Sequence, residues 1–326
     1  MRFVTIGTSG ITREFVAAAK NAGAEYVGAY SRDISRARAF AGDFGGSLCF
    51  DDLGSLAACG DADTVYVASP NALHARQSRM MLEAGKHVIC EKPAATDPAE
   101  LRGLQDLADK KGVIYVEAIM SLHSPGLAAL KKAIGRVGEI SFAHIDFSQL
   151  SSRYALLKNG EMTNIFSQEM QAGCLEDIGL YCVYLTLELF GKPDRIVSKS
   201  VFLPSAADGR GCALFEYADK EVVLTHSKTA QSFSPSQILG DRGAVTVGSV
   251  SQVKDVRFYD AATSECETVF GDMSKVGIME YEAADFMRFE DDPVNTAGDY
   301  AHCREMSLLV CETLAEMRRQ APGFTF

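Results

Sequence analysis

The sequence predicts an α/β fold in two parts. An N-terminal parallel, doubly wound sheet precedes an α+β domain with a mostly antiparallel sheet. Three observations carry this. Within about the first 120 residues, short apolar runs alternate with helical patterns of roughly 10–15 residues, the mark of βαβ units. The second half holds closely spaced strand-like segments joined by turns such as Ala218-Asp219-Lys220 and Gly240-Asp241-Arg242-Gly243. The length, 326 residues, exceeds one domain of about 100–200 residues and suits two.

Arg2–Ile6 reads as a buried strand, Gly7-Thr8-Ser9-Gly10 as a turn, and Thr12–Asn21 as a helix with Phe15, Val16 and Ala19 on one face. Tyr26–Tyr30 is a strand and Ile34–Phe44 a helix striped by Ala37, Phe40 and Ala41. Leu48–Phe50 and Leu53–Ala58 are a short strand and a short helix. Thr64–Ser69 is a strand, Leu73–Ala84 a helix closed by Gly85, and Val88–Cys90 a strand. Pro98–Lys111 is a helix closed by Gly112, with proline near its start where a missing N–H costs little. Val113–Val116 ends the series.

Beyond it, Ile140–Phe147 alternates as a strand, and Gln149–Gln171 is polar and weakly patterned, a substrate lid or a surface loop. Leu180–Phe190 is an apolar helix. The strand-like segments Asp194–Phe202, Gly211–Tyr217, Glu221–Thr229, Ser236–Leu239, Ala244–Val247 and Val256–Tyr259 suggest an antiparallel meander. Asp299–Arg319 is a final helix. The expected division is 1–121 and 122–326.

The 43 acidic and 32 basic residues give a net charge of −11. That argues against a nucleic-acid or anionic-membrane partner, both of which need a basic surface. No segment approaches the roughly 18 apolar residues of a membrane span, and no signal-peptide pattern opens the chain. A cytoplasmic location is expected. The 9 cysteines include no Cys-x-x-Cys, and the 6 histidines no His-x-x-x-His. They read as reduced, mostly buried thiols and scattered histidines, with no metal site. His74 and His123 are left out of the catalytic set, since a lone histidine is more often structural.

Ligands of doubly wound sheets bind at the carboxyl ends of the strands. After the first strand comes Gly7, Thr8, Ser9, Gly10, Ile11 and Thr12, a degenerate Gly-x-Gly-x-x-Gly in the position for binding a dinucleotide. Backbone N–H groups at that helix start can hold a pyrophosphate. The second strand ends in Ser31 and Arg32 where an NAD site wants an acidic residue, with Arg36 one turn on. A hydroxyl and guanidinium groups suit a 2′-phosphate, so NADP is the expected cofactor, with NAD the alternative.

Two further segments are Gly85-Lys86-His87-Val88-Ile89-Cys90-Glu91-Lys92-Pro93, following Ser69-Pro70-Asn71, and Gly173-Cys174-Leu175-Glu176-Asp177-Ile178-Gly179-Leu180-Tyr181. With these the whole chain resembles the Gfo/Idh/MocA oxidoreductases. The resemblance implies an N-terminal Rossmann domain and a C-terminal domain with a large open sheet that often packs on a partner subunit. It makes Lys92 the catalytic lysine. It places Ser69, Pro70 and Asn71 near the cofactor ribose and nicotinamide, Glu91 beside Lys92, and Glu117 near the nicotinamide. It makes Asp177 a catalytic aspartate. Tyr181 stands where many members carry a histidine. This resembles the tyrosine-type branch of dimeric dihydrodiol dehydrogenases and glucose–fructose oxidoreductase, with the tyrosine as acid–base.

That pairing is chemically coherent. Oxidising an alcohol sends a proton to a base, and a phenol with pKa ≈ 10 is too weak near neutrality. An ammonium nearby favours the phenolate and polarises the substrate oxygen. The expected activity is hydride transfer between NADP and a sugar, polyol or cyclic diol. The alternatives are a D-xylose or other aldose 1-dehydrogenase, a glycosidase using a redox cycle on NAD, or a non-catalytic NAD(P)-binding sensor. A homodimer or homotetramer formed through the C-terminal sheet is expected.

Overall fold

The computed structural model describes the chain from Met1 to Phe326. It divides into two compact units: Met1–His123 with Ser274–Leu308, and Ser124–Met273 with Leu309–Phe326.

The first unit begins β1 (Arg2–Ile6), α1 (Gly10–Asn21), β2 (Glu25–Tyr30), α2 (Ile34–Asp43), β3 (Leu48–Phe50), α3 (Leu53–Ala57), β4 (Thr64–Val67), α4 (Asn71–Glu83), β5 (His87–Glu91), α5 (Pro98–Lys111), β6 (Tyr115–Ala118) and α6 (Met120–His123). All six strands run parallel in the order β3-β2-β1-β4-β5-β6. The order reverses between β1 and β4, which makes their carboxyl ends the crevice of a doubly wound sheet. Short aspartates start three of the helices. Asp33, Asp52 and Asp97 accept the backbone N–H of Ser35, Ser55 and Ala99 at 2.9, 2.7 and 3.0 Å, each cap contributing about 1 kcal/mol. Aromatic rings knit the helix layer to the sheet. Phe15 of α1 stacks on Tyr66 of β4 at 3.8 Å, and its edge meets Phe3 of β1.

The second unit follows with α7 (Pro125–Ile134), β7 (Ile140–Ser148), α8 (Tyr154–Lys158), α9 (Leu180–Phe190), β8 (Arg195–Phe202), β9 (Asp208–Glu216), β10 (Glu221–Ser227), β11 (Ser236–Gly240), β12 (Gly243–Ser249), β13 (Lys254–Asp260) and β14 (Cys266–Phe270). The eight strands are ordered β14-β13-β12-β11-β7-β10-β9-β8. β7 sits between β10 and β11 and is parallel to β10, while every other pairing is antiparallel. The expected meander is therefore two antiparallel runs joined across β7. One sheet face buries Ala143, Ile145, Phe215, Leu224, Ile238, Val245 and Phe258, with α7 and α9 against it. The other face is open. Within the polar 149–171 stretch, Phe166 is wholly buried and Tyr154 leans on it at 6.2 Å.

After β14 come α10 (Lys275–Asp291) and α11 (Ala297–Arg319). α10 rejoins the first unit by packing on α1 and α6, burying Ile278, Met279, Ala283, Phe286 and Phe289. The contiguous division at 121/122 thus differs from the folded chain, because residues 274–308 return to the first unit. Sequence spacing gives an apolar stripe but not the surface it covers.

Candidate active site

The first unit gathers the expected cofactor residues on the loops after β1, β2, β4 and β5. Gly7 has φ +117° and donates its N–H to Tyr30 O at 3.3 Å. A Cβ there would lie 2.5 Å from the Ala68 carbonyl oxygen, so only glycine permits this turn. Gly7→Ala is expected to cost about 2 kcal/mol or more, with weaker cofactor binding; urea unfolding and NADPH titration check both. Ser9 and Thr12 do more than replace glycines. The Ser9 N–H donates to Thr12 Oγ1 at 3.3 Å, and the two hydroxyls lie 3.0 Å apart, closing the start of α1. Ser9 and Gly10 are exposed, Thr8 and Ile11 half-buried. Nothing lies within 4 Å of a Cβ at Gly10, so the helix start is open to an anion.

At the end of β2, Arg32 and Arg36 are exposed and make no ion pair, while Ser31 is half-buried. The nearby acid, Asp33, caps α2. After β4, Ser69 donates its hydroxyl to Gln77 Oε1 at 2.6 Å, and Pro70 precedes the first residue of α4, Asn71. His74, fully buried, links two loops: its ring nitrogens lie 2.7 Å from Ser69 O and 2.9 Å from Pro93 O. Burial holds this ring below the ordinary histidine range.

Glu91 ends β5 and Lys92 follows it, and the Lys92–Pro93 peptide is cis. Tyr66 donates its hydroxyl to Glu91. Burial pushes the Glu91 carboxyl above the usual range, opposed by the Lys92 charge. Glu117, on β6, accepts the Ala94 N–H at 2.8 Å. Its visible task is to brace the Pro93-Ala94 turn after Lys92.

In the second unit the Asp177 segment is a π-helical turn, Leu175–Gly179, running into α9. Such turns are rare and collect at functional sites. Asp208 fixes its start, accepting the N–H groups of Cys174 and Leu175 at 3.0 and 2.8 Å. A Cβ at Gly173 would lie 1.9 Å from that carboxylate. Asp177 pairs with Lys228 at 2.5 Å. Tyr181 is 7 % exposed, its ring edge-on to Phe147 at 5.9 Å, whereas Tyr184, one face further round, is core.

Cys174, Asp208 and His226 are buried metal-ligand types within reach of one another, in a chain where no metal site was expected. Their geometry is that of a hydrogen-bonded brace: His226 Nδ1 lies 3.2 Å from Cys174 Sγ, and both Asp208 oxygens accept backbone N–H groups. Burial lifts Asp208 to about 6 and lowers His226 to about 4.

The residues expected to hold the cofactor thus share the carboxyl end of the parallel sheet, and Asp177 and Tyr181 share one helical junction. Sequence reasoning missed Lys228, Asp208 and His74 as residues that hold the site in place. Lys228 and Asp208 lie 51 and 33–34 residues from their partners, His74 bridges carbonyls 5 and 19 residues away, and no spacing rule reports such contacts.

Residues 1–119 match the family model GFO_IDH_MocA, an oxidoreductase family with an NAD-binding Rossmann fold. The chain is 32 % identical over 329 residues to the scyllo-inositol 2-dehydrogenase (NADP(+)) IolU of Bacillus subtilis, covering 98 % of this chain and 97 % of that one. It is 27 % identical to the trans-1,2-dihydrobenzene-1,2-diol dehydrogenase of Xenopus laevis over 74 % of this chain and 73 % of that one. Among solved structures, KijD10, a 3-ketoreductase from Actinomadura kijaniata in complex with NADP and TDP-benzene, shares the fold. Its TM-score is 0.84 at 22 % identity, covering 98 % of each chain. Likeness of that extent, from end to end, makes this chain a member of the Gfo/Idh/MocA oxidoreductase family, with its NAD-binding Rossmann fold in residues 1–119.

Proposed function

We propose that the protein is an NADP-dependent dehydrogenase of a cyclic polyol, sugar or diol, with Lys92 and Tyr181 as polarising and acid–base residues and Asp177 as their aspartate partner. The carrying observation is the full-length likeness to an enzyme named for scyllo-inositol and NADP(+). The residues fit the cofactor. The start of α1 is open at Gly10 for the pyrophosphate, and the unpaired Arg32 and Arg36 suit a 2′-phosphate. Bound NADP+ supplies the hydride acceptor. Lys92 lends positive charge to the substrate oxygen, and Tyr181 takes its proton as general base, or returns it in reduction. In this reading Ser69, Pro70, Asn71, Glu91 and Glu117 form or brace the nicotinamide end.

The test is a panel of scyllo-inositol, other inositols, D-xylose, D-glucose and trans-dihydrodiols, followed at the nicotinamide absorbance with NADP+ and NAD+. Turnover of none of them overturns the reading. Arg32→Ala with Arg36→Ala is expected to weaken NADPH binding by about 10- to 100-fold, the worth of one or two charge-assisted bonds, and NADH binding little. Fluorescence titration checks this; equal losses for both cofactors would remove the 2′-phosphate argument.

Two coarser expectations extend it. No helix is long and apolar enough to cross a membrane, and a cytoplasmic location is proposed on the cysteines, all of which are free thiols. The open sheet face carries exposed Phe142, Val197 and Tyr259, whose strand registers put them on one side. A homodimer or homotetramer through this face is proposed, with light scattering after gel filtration as its test.

A further inference from the structure

We propose that Lys228 is a positioning residue of the substrate site: its buried ammonium backs the Asp177 carboxylate and fixes it as the acceptor for a substrate hydroxyl next to the carbon being oxidised. The inference rests on the reading of Asp177 and Tyr181 given above.

Lys228 follows β10 directly and is 3 % exposed. Lysine is almost never buried to that degree unless paired. Its partner is Asp177, with Nζ 2.5 Å from Oδ2, and the Phe166 ring lies 5.4 Å from the same ammonium. The main chain leaves its stem little freedom. The Lys228 N–H donates to Gly209 O at 2.9 Å, and its carbonyl accepts the Ser151 N–H at 3.0 Å. Neighbouring charges belong to Asp208, whose burial-driven rise the Lys228 charge opposes, and to Glu176, held by Arg318.

The two partners differ in exposure. The Lys228 side chain is 4 % exposed and that of Asp177 36 %. The cation therefore stands on the protein side and the carboxylate on the open side. Such a pair is a poor stabiliser, because desolvating an ammonium is costly and a half-exposed partner repays little. Fixing a carboxylate in one orientation is what the arrangement does achieve. A carboxylate held by an ammonium is purely an acceptor. It receives a hydroxyl and leaves proton transfer to Tyr181, one turn further along. A substrate with two adjacent hydroxyls, a cyclic polyol or diol, supplies both groups.

The experiment compares Lys228→Met, Asp177→Asn and the double variant, using the panel member with the highest kcat/KM in the parent. Lys228→Met is expected to raise KM by about 10- to 100-fold, the worth of a charge-assisted hydrogen bond, with a smaller change in kcat and unchanged NADPH binding. In the Asp177→Asn background the same substitution is expected to add almost nothing, because Lys228 acts through Asp177. Additive losses, or a parallel fall in NADPH affinity and thermal midpoint, would mark Lys228 as merely structural and overturn the proposal, as would an unchanged KM. A parent that turns over the panel while Tyr181→Phe does so equally well overturns the functional reading instead. A parent inactive on the whole panel overturns both.

Discussion

Tyr181→Phe is expected to lower kcat by roughly 10²- to 10⁴-fold, the usual worth of a positioned acid–base group, while NADPH binds as in the parent. The substitution removes one hydroxyl and keeps the ring that meets Phe147 edge-on, so the local packing survives. Lys92→Ala is expected to cost a further or similar factor, about 10²- to 10³-fold, by withdrawing charge from the developing oxyanion. If the two act on one proton transfer, the double variant falls far short of the product of the single losses. Steady-state kinetics on the best panel substrate measure all three. Normal turnover by both single variants would end the assignment.

Arg318→Met is expected to destabilise the protein by about 3–5 kcal/mol. Arg318, in the last turn of α11, donates to Glu176 beside Asp177, with side chains 6 % and 1 % exposed. Methionine keeps much of the volume but leaves a buried carboxylate without its cation. Glu176 also faces Asp208, whose carboxyl it already pushes upward, and losing Arg318 sharpens that repulsion. Arg318→Met combined with Glu176→Leu is expected to recover most of the loss, since removing both charges removes the desolvation cost with the attraction. Urea unfolding, with the slope compared between variants, separates these outcomes. Parent-like stability of Arg318→Met would show that the pair is energetically idle, and equal losses in the single and double variants would show that the stranded carboxylate is not the cause. The substitutions flank the Asp177 turn, so kinetics on the double variant also report how far that turn depends on its neighbours.

Much of the first unit was legible because its signals are local. Pro98–Lys111 is found with its expected bounds, capped by Asp97 and closed by Gly112. The loop after β1 was identified by its place between strand and helix rather than by its glycine count, and the Ser9–Thr12 contact explains why two glycines are dispensable. The second unit was less legible. Its strands other than β14 lie near their expected bounds, but neither β14 nor the insertion of β7 between β10 and β11 is marked in the sequence. Alternation reports which face of a strand is buried and is silent on which strand lies beside it. Helix α10 has no clear stripe in the sequence, its apolar positions being interspersed with acidic residues and Gly277 in 275–291.

The sequence alone determined the βαβ order, the turn that keeps glycine at position 7, the arginines after β2, and the Glu91-Lys92-Pro93 and Asp177-x-Gly179-x-Tyr181 segments. All of these are fixed within a few residues, where periodicity, capping and turn chemistry act. Only the tertiary structure decided that residues 274–308 return to the first unit. It alone set His74 between the Ser69 and Pro93 carbonyls, Asp208 over the π-helical turn, and Lys228 behind Asp177. In the last two, a side chain meets a backbone N–H or a second side chain 33 to 51 residues away. Such pairs form when two elements bury their apolar faces against one another, a condition set by the packing of whole surfaces rather than by any stretch of the chain.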